Sequence, residues 1–310
     1  MISHEKLFEV AVSYYVKKKL QREIAEELGV SHVQVSKYLK QAEERGIVSV
    51  TINPPHVSQG DQRWYQVMFK EMFGLENLIL TPGVSNTDKT HNILIEYAAK
   101  YITDHYPNTQ LNIGLGWGKT IFDMAHVNSI PVKKNFWNYY PVCVPRQIRE
   151  QDFYDYRQIT SSFVKNWGGT IDPSVIEFFR LYTSSEELAR QIEKIWASLD
   201  IMIFGIGISF TRLPTSREQL FSDSVATEVG NKDLVGDMVN HYFDIEGNIF
   251  SPRNEISQIP LEIFKKLPNT IAIATGLRKV VSIIGALRTG LVGTLITDIE
   301  TAKHVVEYLK

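Results

Sequence analysis

Glycine residues follow a strand-like run near the middle of the chain, where cationic and hydroxyl side chains join them. The stretch reads Gly114-Leu115-Gly116-Trp117-Gly118-Lys119-Thr120 and opens a helical pattern. Glycine amides at the start of a helix bind anions, and the neighbouring ammonium and hydroxyl groups would assist. A Walker A loop and a dinucleotide fingerprint both fail here, because position 113 is isoleucine and position 119 is lysine. The sequence therefore predicts an anion site at Gly116–Thr120, with a close-packed turn as the alternative.

Two later stretches carry related chemistry. Gly205 and Gly207 end a second strand-like run and either supply amides from a neighbouring loop or form a plain turn. Asp237 and His241 are polar residues in a mostly apolar run, so each needs a hydrogen-bond partner. A sugar hydroxyl would serve as that partner, and so would a backbone amide.

Cations also follow the strand-like run 270–275. Arg278 and Lys279 occupy the first turn of the next predicted helix, where positive charges oppose the helix dipole. A bound anion would relieve that conflict, and Arg212 is a weaker candidate of the same kind. Trp117 either stacks on the apolar face of a sugar or closes the core beneath its turn, and the core is favoured. Asp298 is most simply part of a helix cap.

Spacings typical of catalysis or metal binding do not occur. The eight histidines are scattered without an HxxxH or HExxH pattern, and serine forms no nucleophile elbow. We therefore predict no catalytic residue, no metal and no cofactor.

The element that organises the amino-terminal part is QREIAEELGVSHVQVSKYLK, residues 21–40. Ile24, Ala25 and Leu28 share one helical face, and a second apolar face follows Gly29. Ser31 with a glutamine three residues later is typical of a capped helix start. Gly29 permits the positive φ of a tight turn. The pattern predicts a helix-turn-helix, and an αα-hairpin that only packs is the alternative.

The outward face of the second helix suits DNA. It carries hydrogen-bond donors and one apolar group that fits a thymine methyl, and it lacks carboxylates. The predicted DNA-binding residues are Ser31, His32, Val33, Gln34, Ser36 and Lys37.

Composition adds little about partners. The net charge is −2, and 22% of the 310 residues are charged. The chain therefore has no overall positive charge that would indicate a nucleic-acid partner. The single cysteine, Cys143, fits a reducing cytoplasm. We expect a cytoplasmic protein without a signal peptide or a membrane span.

Beyond the helix-turn-helix, strand-like and helical patterns alternate. Residues 1–52 are predicted to form a DNA-binding domain with a wing strand at 47–52. Residues 53–60 are predicted to be a linker. Residues 61–310 are predicted to be a Rossmann-like α/β domain with a mainly parallel sheet. In such sheets ligands lie beyond the carboxyl ends of the strands, where the glycine turns fall.

The sequence resembles the SorC family of sugar-responsive bacterial transcriptional regulators over nearly its whole length. The likeness lies in the helix-turn-helix and in IGLGWGKTI, FGIGI, LVGDMVNHYFDIEGN and TGLRKVVSIIGALRTGLVGTLITD. The resemblance implies an α/β effector domain with a fold like that of sugar-phosphate isomerases, and a dimer or tetramer. It places Gly116–Thr120 in a phosphate-cradling loop and Asp237 and Lys279 in the effector pocket.

With these patterns, the resemblance implies a DNA-binding regulator of a carbohydrate operon, controlled by a small sugar that we expect to be phosphorylated. A homodimer or homotetramer would read a roughly palindromic operator. The alternative is a sugar-phosphate isomerase or deaminase with an appended helical domain, in which Asp237 or His241 would be the base.

Overall fold

A computed structural model describes residues 2–48, 57–84, 87–127, 133–145, 156–171, 186–208, 233–251 and 256–310. The chain divides into two compact units, Met1–Asn53 and Pro54–Lys310. Within the described ranges, none of the helices is long and apolar enough to cross a bilayer.

The amino-terminal unit is a small helical domain. Its helices are α1 (His4–Ala11), which runs into a π-helical turn (Val12–Val16), α2 (Gln21–Leu28) and α3 (His32–Glu44). Gly29 ends α2 with a φ of 63°, as the sequence predicted. Ile24 and Ala25 of α2 pack against Val35 and Leu39 of α3 in one buried cluster. The predicted helix-turn-helix is therefore confirmed as a fold.

The linker differs from its prediction. Most of the predicted wing strand 47–52 lies outside the described residues. Helix α4 (Gln59–Phe73) begins after the N-cap Ser58, so the last two residues of the predicted linker are helical.

The larger unit is organised by a six-stranded parallel sheet with the order β1-β12-β11-β5-β2-β3. Its strands are β1 (Asn77–Thr81), β2 (Leu111–Leu115), β3 (Trp137–Pro141), β5 (Ile201–Gly205), β11 (Thr270–Ile273) and β12 (Thr294–Asp298). Alternate residues face two separate cores: Met202 and Phe204 of β5 enter one, and Ile201 and Ile203 enter the other. A parallel sheet buried on both faces is what the alternating pattern predicted.

Helices connect these strands. They are α5 (Thr87–His105), α6 (Lys119–Ala125), α7 (Tyr156–Trp167), α8 (Glu186–Ala197), α9 (Leu261–Phe264), α10 (Val280–Arg288) and α11 (Ile299–Tyr308).

The strand order reverses between β2 and β5. The chain passes from β2 to β3 on one side, and the next strand of this sheet, β5, lies on the other side of β2. In sheets of this kind the loops on the two sides of the switch point diverge, and ligands bind in the crevice between them. The glycine turn after β2 and the end of β5, which also carries a glycine, lie at this point of the sheet.

The sequence patterns missed two antiparallel sheets. One contains β6 (Gly207–Ile208), β7 (Leu234–Met238), β8 (His241–Asp244) and β9 (Ile249–Phe250), and the other pairs β4 (Cys143–Pro145) with β10 (Ile256–Gln258). The apolar runs 139–144 and 201–208 each predict a single strand, yet 139–144 divides into β3 and β4, and 201–208 divides into β5 and β6. Both breaks occur where a strand leaves the parallel sheet and pairs elsewhere.

Some local predictions were wrong. The helical period of residues 61–73 predicts a buried stripe of Trp64, Val67, Met68 and Met72, yet Trp64 and Val67 are each 48% exposed, and Phe69 is the buried residue. Thr297 with Glu300 is typical of a capping box for the last helix, but the cap of α11 is Asp298, whose side chain accepts a hydrogen bond from the Thr301 amide, and Thr297 lies in β12. The pattern of residues 277–288 predicts one helix, and that stretch starts with a 3-10 turn, Leu277–Lys279.

Candidate functional site

The first turns of α3 form a solvent-facing surface in the amino-terminal unit. Ser31 caps the helix by accepting a hydrogen bond from the Gln34 amide at 3.2 Å. The exposed residues of the predicted DNA-binding set are Ser31, His32, Val33, Ser36 and Lys37, while Gln34 is half-buried. Among the described residues Lys37 forms no ion pair, which leaves its ammonium group available for a phosphate.

Two acidic side chains of α2 contact residues that lie just before the same helix. Glu23 accepts a hydrogen bond from the backbone amide of Leu20 at 2.8 Å, and Glu27 pairs with Lys19. These contacts hold both carboxylates on α2, where they do not interrupt the exposed face of α3. Lys17 and Lys18 remain exposed beside them.

The glycine turn after β2 combines a packed part and an open part. A Cβ at Gly116 would lie 2.9 Å from the Phe204 Cβ and 3.2 Å from Val239 Cγ1, so this glycine allows close packing. Gly118 has a φ of 100°, and no described heavy atom lies within 4 Å of a Cβ built there. Trp117 is half-buried and contacts both cores of the sheet. The close-packed alternative thus describes Gly116, whereas no described atom packs against the Cβ side of the half-buried Gly118.

Lys119 and Thr120 point in different directions. The Lys119 ammonium contacts the Asp123 carboxylate one turn along α6, and His91 Nε2 lies 2.7 Å from the same oxygen. The Lys119 side chain remains 60% exposed. Thr120 faces the neighbouring strand: its Oγ1 lies 3.6 Å from a Cβ built at Gly205. These contacts join the loop after β2 to the end of β5.

The loop after β5 is joined to the antiparallel sheet. Gly207 pairs with Asp237 in the β6–β7 ladder, and a Cβ at Gly207 would lie only 1.9 Å from Asp237 Oδ1. Burial, and secondarily the Asp237 carboxylate, raises the pKa of the Cys143 thiol and of the Tyr242 phenol. Asp237 is therefore a half-buried acceptor that borders the glycine loop and an apolar interior.

Lys279 joins the loop after β11 to the same place. It ends the 3-10 turn, and its ammonium donates a hydrogen bond to the Ile206 carbonyl at 2.7 Å. Ile206 lies between Gly205 and Gly207. The structure thus brings together most of the predicted effector residues around positions 204–207, whereas Arg278 is exposed and Arg212 lies outside the described residues.

His241 is a satisfied core residue. Its Nε2 faces the Ile259 carbonyl at 2.8 Å, and its Nδ1 lies 2.7 Å from the Ser251 hydroxyl. Because a carbonyl only accepts, Nε2 donates, and the neutral ring accepts at Nδ1. Burial lowers the His241 pKa. With both nitrogens engaged, His241 is poorly placed to act as a base.

The hairpin tip between β7 and β8 was not predicted. Val239 and Asn240 both have positive φ, 45° and 64°, and both are buried. Val239 packs on Gly116, and the side-chain amide of Asn240 donates a hydrogen bond to Cys143 Sγ. A β-branched residue with positive φ gives no sequence signal for a tight turn, where asparagine-glycine is the usual pair. The hairpin fixes Asp237 relative to the glycine turn.

A metal centre has no support in the part of the chain that the structure describes, because no three His, Cys, Asp or Glu side chains are grouped there. Around Ile206 the structure places the Lys279 ammonium and the Asp237 carboxylate, while the Lys119 ammonium lies against Asp123 on α6. Backbone amides, a cation and a carboxylate suit an anionic, hydroxylated ligand.

Comparisons with known proteins agree with this architecture. A family model described as "Putative sugar-binding domain" matches residues 180–307. The sorbitol operon regulator of Klebsiella pneumoniae is 22% identical over an alignment of 312 residues, gaps included, that covers 96% of each protein. The transcriptional regulator LsrR of Escherichia coli K12 is 23% identical over an alignment of 319 residues, gaps included, that covers 98% of this chain and 95% of that protein.

Solved structures show the same fold. The crystal structure of full-length SorC, the sorbitol operon regulator from Klebsiella pneumoniae, has a TM-score of 0.69 at 20% identity and covers 99% of this chain and 100% of that chain. A transcriptional regulator from Streptococcus pneumoniae has a TM-score of 0.66 at 20% identity and covers 80% of this chain and 98% of that one.

Proposed function

We propose that the chain is a member of the SorC family of sugar-responsive transcriptional regulators, to which it is similar over nearly its whole length, and that it regulates a carbohydrate operon by binding DNA under the control of a small phosphorylated sugar. The observation that carries the proposal is the convergence of two glycine loops and Lys279 at the switch point of the sheet, in a chain that also presents an exposed recognition helix.

The exposed face of α3 supports the DNA-binding role. In a helix-turn-helix the second helix enters the major groove, and its first turns contact the base edges. His32 and Val33 lie at this end and would read bases, while Lys37 would contact a phosphate. The small net charge of the chain makes this geometry the main support for DNA binding.

The crevice supports binding of a sugar phosphate. The accessible amide at Gly118 and the ammonium groups of Lys119 and Lys279 would bind the phosphate. Asp237 would accept hydrogen bonds from sugar hydroxyls. Gly205, Gly207 and Thr120 line the same loops, while Trp117 mainly closes the core.

Control of DNA binding follows from linkage. If the effector and the DNA each favour a different arrangement of domains and subunits, each changes the affinity for the other by the same factor, typically ~5–150-fold. A homodimer or homotetramer would present recognition helices about 34 Å apart, one turn of DNA, which implies a roughly palindromic operator. The protein would act in the cytoplasm, where operator and phosphorylated sugars occur together.

A thermal-shift screen tests this proposal. A ligand that binds only the native state raises the melting temperature by mass action. Phosphorylated sugars should raise it, free sugars should do so less, and Lys119→Ala should remove the rise. Lys303→Ala, an exposed lysine on α11, is the matched control and should respond like the parent protein. An equal response to free and phosphorylated sugars in both variants would refute the phosphate site.

A further inference from the structure

Asp298, the last residue of β12, is the centre of a buried hydrogen-bond network. It is 3% exposed. Its Oδ1 accepts a hydrogen bond from the Thr301 amide at 3.0 Å, which caps α11. Its Oδ2 accepts two more, from the hydroxyls of Thr275 and Thr301. Only the first of these bonds is needed to cap a helix, so the Oδ2 atom has a separate role.

That role is to hold the turn after β11. The Thr301 hydroxyl, which donates to Asp298, accepts a hydrogen bond from the Gly276 amide at 2.9 Å. Thr275, the residue before Gly276, is bonded to Asp298 directly. Two consecutive residues of the turn are therefore fixed to one carboxylate on the neighbouring strand.

The turn also has a hydrogen bond of its own, in which the Lys279 amide donates to the Gly276 carbonyl at 2.9 Å. Gly276 has a φ of 108°, and no described heavy atom lies within 4 Å of a Cβ built there, so side-chain packing on that side of Gly276 does not hold the turn. Gly276 immediately precedes the 3-10 turn that ends at Lys279. Any shift of the Gly276 backbone would move Lys279 relative to Ile206, to which its ammonium donates.

We propose that Asp298 is a positioning residue of the effector site, which acts through Thr275 and Thr301 to fix the Gly276–Lys279 turn and so sets the affinity for the effector's phosphate. This inference rests on the proposed function. Asp298 does not touch the ligand, because both of its oxygens are occupied by groups of the protein.

The chemistry of the network requires a carboxylate. Three donors converge on Asp298, and a carboxylate is an acceptor at both oxygens. In Asp298→Asn the remaining oxygen can still accept from the Thr301 amide, and asparagine caps helices as well as aspartate does. Its NH₂ group, however, would face two hydroxyls that need an acceptor. This variant therefore keeps the cap and disrupts the contacts to the turn.

The test measures binding of inorganic phosphate and of a panel of sugar phosphates to the full chain by calorimetry, together with the melting temperature without ligand. Asp298→Asn and Thr275→Val should weaken binding by on the order of tenfold or more, the size of effect seen when a residue that orients a ligating group is removed. Thr301→Ser keeps the hydroxyl and should bind nearly as the parent does, whereas Thr301→Val should not.

Thr160→Val is the matched control for a general loss of stability. Thr160 is a buried threonine of α7 that donates to the Tyr156 carbonyl, within its own helix. The Thr160→Val variant should bind phosphate like the parent even if its melting temperature falls as much as that of Asp298→Asn. Parental affinity in Asp298→Asn and Thr275→Val would overturn this proposal alone. Absence of binding by the parent would overturn the proposed function, and this inference with it.

Discussion

The Lys279 ammonium donates a hydrogen bond to the backbone carbonyl of Ile206 across 2.7 Å. This contact joins the loops that follow two adjacent strands, β11 and β5. It places a positive charge between Gly205 and Gly207, at the end of the sheet where the strand order reverses. A lysine in this position fixes the loop, and under the proposed function it would also supply a cation to the effector.

Replacing Lys279 should therefore abolish the response to a phosphorylated effector. Lys279→Met keeps most of the aliphatic stem and removes the charge, so affinity for inorganic phosphate and for sugar phosphates should fall strongly in calorimetric titrations. DNA binding without effector should persist. Lys303→Ala controls for a general loss of positive charge. Unchanged phosphate affinity in Lys279→Met would remove Lys279 from the site.

Residues on α3 should separate affinity from specificity. Lys37→Ala should weaken binding to every DNA sequence and reduce the salt dependence of the binding constant by about one unit of slope. His32→Ala and Val33→Ser should instead change which sequences are selected from a random pool. Lys6→Ala is the control, since Lys6 pairs with Glu9 on α1 at 3.1 Å. A loss in Lys37→Ala that is confined to one sequence would contradict its assignment to the DNA backbone.

His241 should make stability depend on pH. Because burial lowers its pKa in the folded protein, the unfolded chain binds the proton more readily. Stability is then fully present above about pH 6.5, the ordinary histidine value, and is lost as the pH falls below it. Each unit of pKa depression corresponds to ~1.4 kcal/mol. Thermal unfolding of His241→Gln should show a smaller loss of stability between about pH 7.5 and about pH 5.5, roughly one unit on either side of that value.

His105→Gln is the control for this experiment, because His105 is an exposed residue of α5 that stacks on Tyr101. It should show the same pH dependence as the parent. A parental slope in His241→Gln would mean that other groups produce the acid sensitivity.

Gly118 should be needed for its backbone conformation. Gly118→Ala introduces no contact with a described atom, but a φ of 100° with a ψ of 176° is a region that only glycine occupies readily. We expect a loss of about 1–3 kcal/mol in stability and a loss of phosphate binding if the turn rearranges. Gly60→Ala, inside α4, is the control and should be neutral or slightly stabilising. Unchanged stability and unchanged phosphate binding in Gly118→Ala would show that the turn does not depend on the glycine backbone conformation.

The helix-turn-helix and the parallel sheet could be predicted because their signals are local and repeated. Apolar residues recur at the helical period around Gly29, and β5 is an unbroken apolar run, as expected for a strand buried on both faces. The four-stranded antiparallel sheet was missed because its strands are short and because β6 follows β5 almost directly in the sequence. Trp64 was misplaced because hydrophobic periodicity cannot distinguish a core face from an exposed apolar face.

The predicted site residues were located near one another because glycine turns after parallel strands meet at one edge. What the sequence did not indicate were contacts between distant segments. Asp298 looked like a helix cap, and its bond to Thr275 spans 23 positions of sequence. The contact of His91 with Asp123 and the packing of Val239 on Gly116 likewise join distant segments of the chain.

The most direct test of the account measures coupling between the two units of the full chain. The affinity for a DNA site selected from a random pool is determined with and without a saturating sugar phosphate, and the affinity for that sugar phosphate with and without the DNA. Both should change by the same factor, within ~5–150-fold. A DNA affinity that stays constant while the sugar phosphate saturates its pocket would contradict effector control of DNA binding.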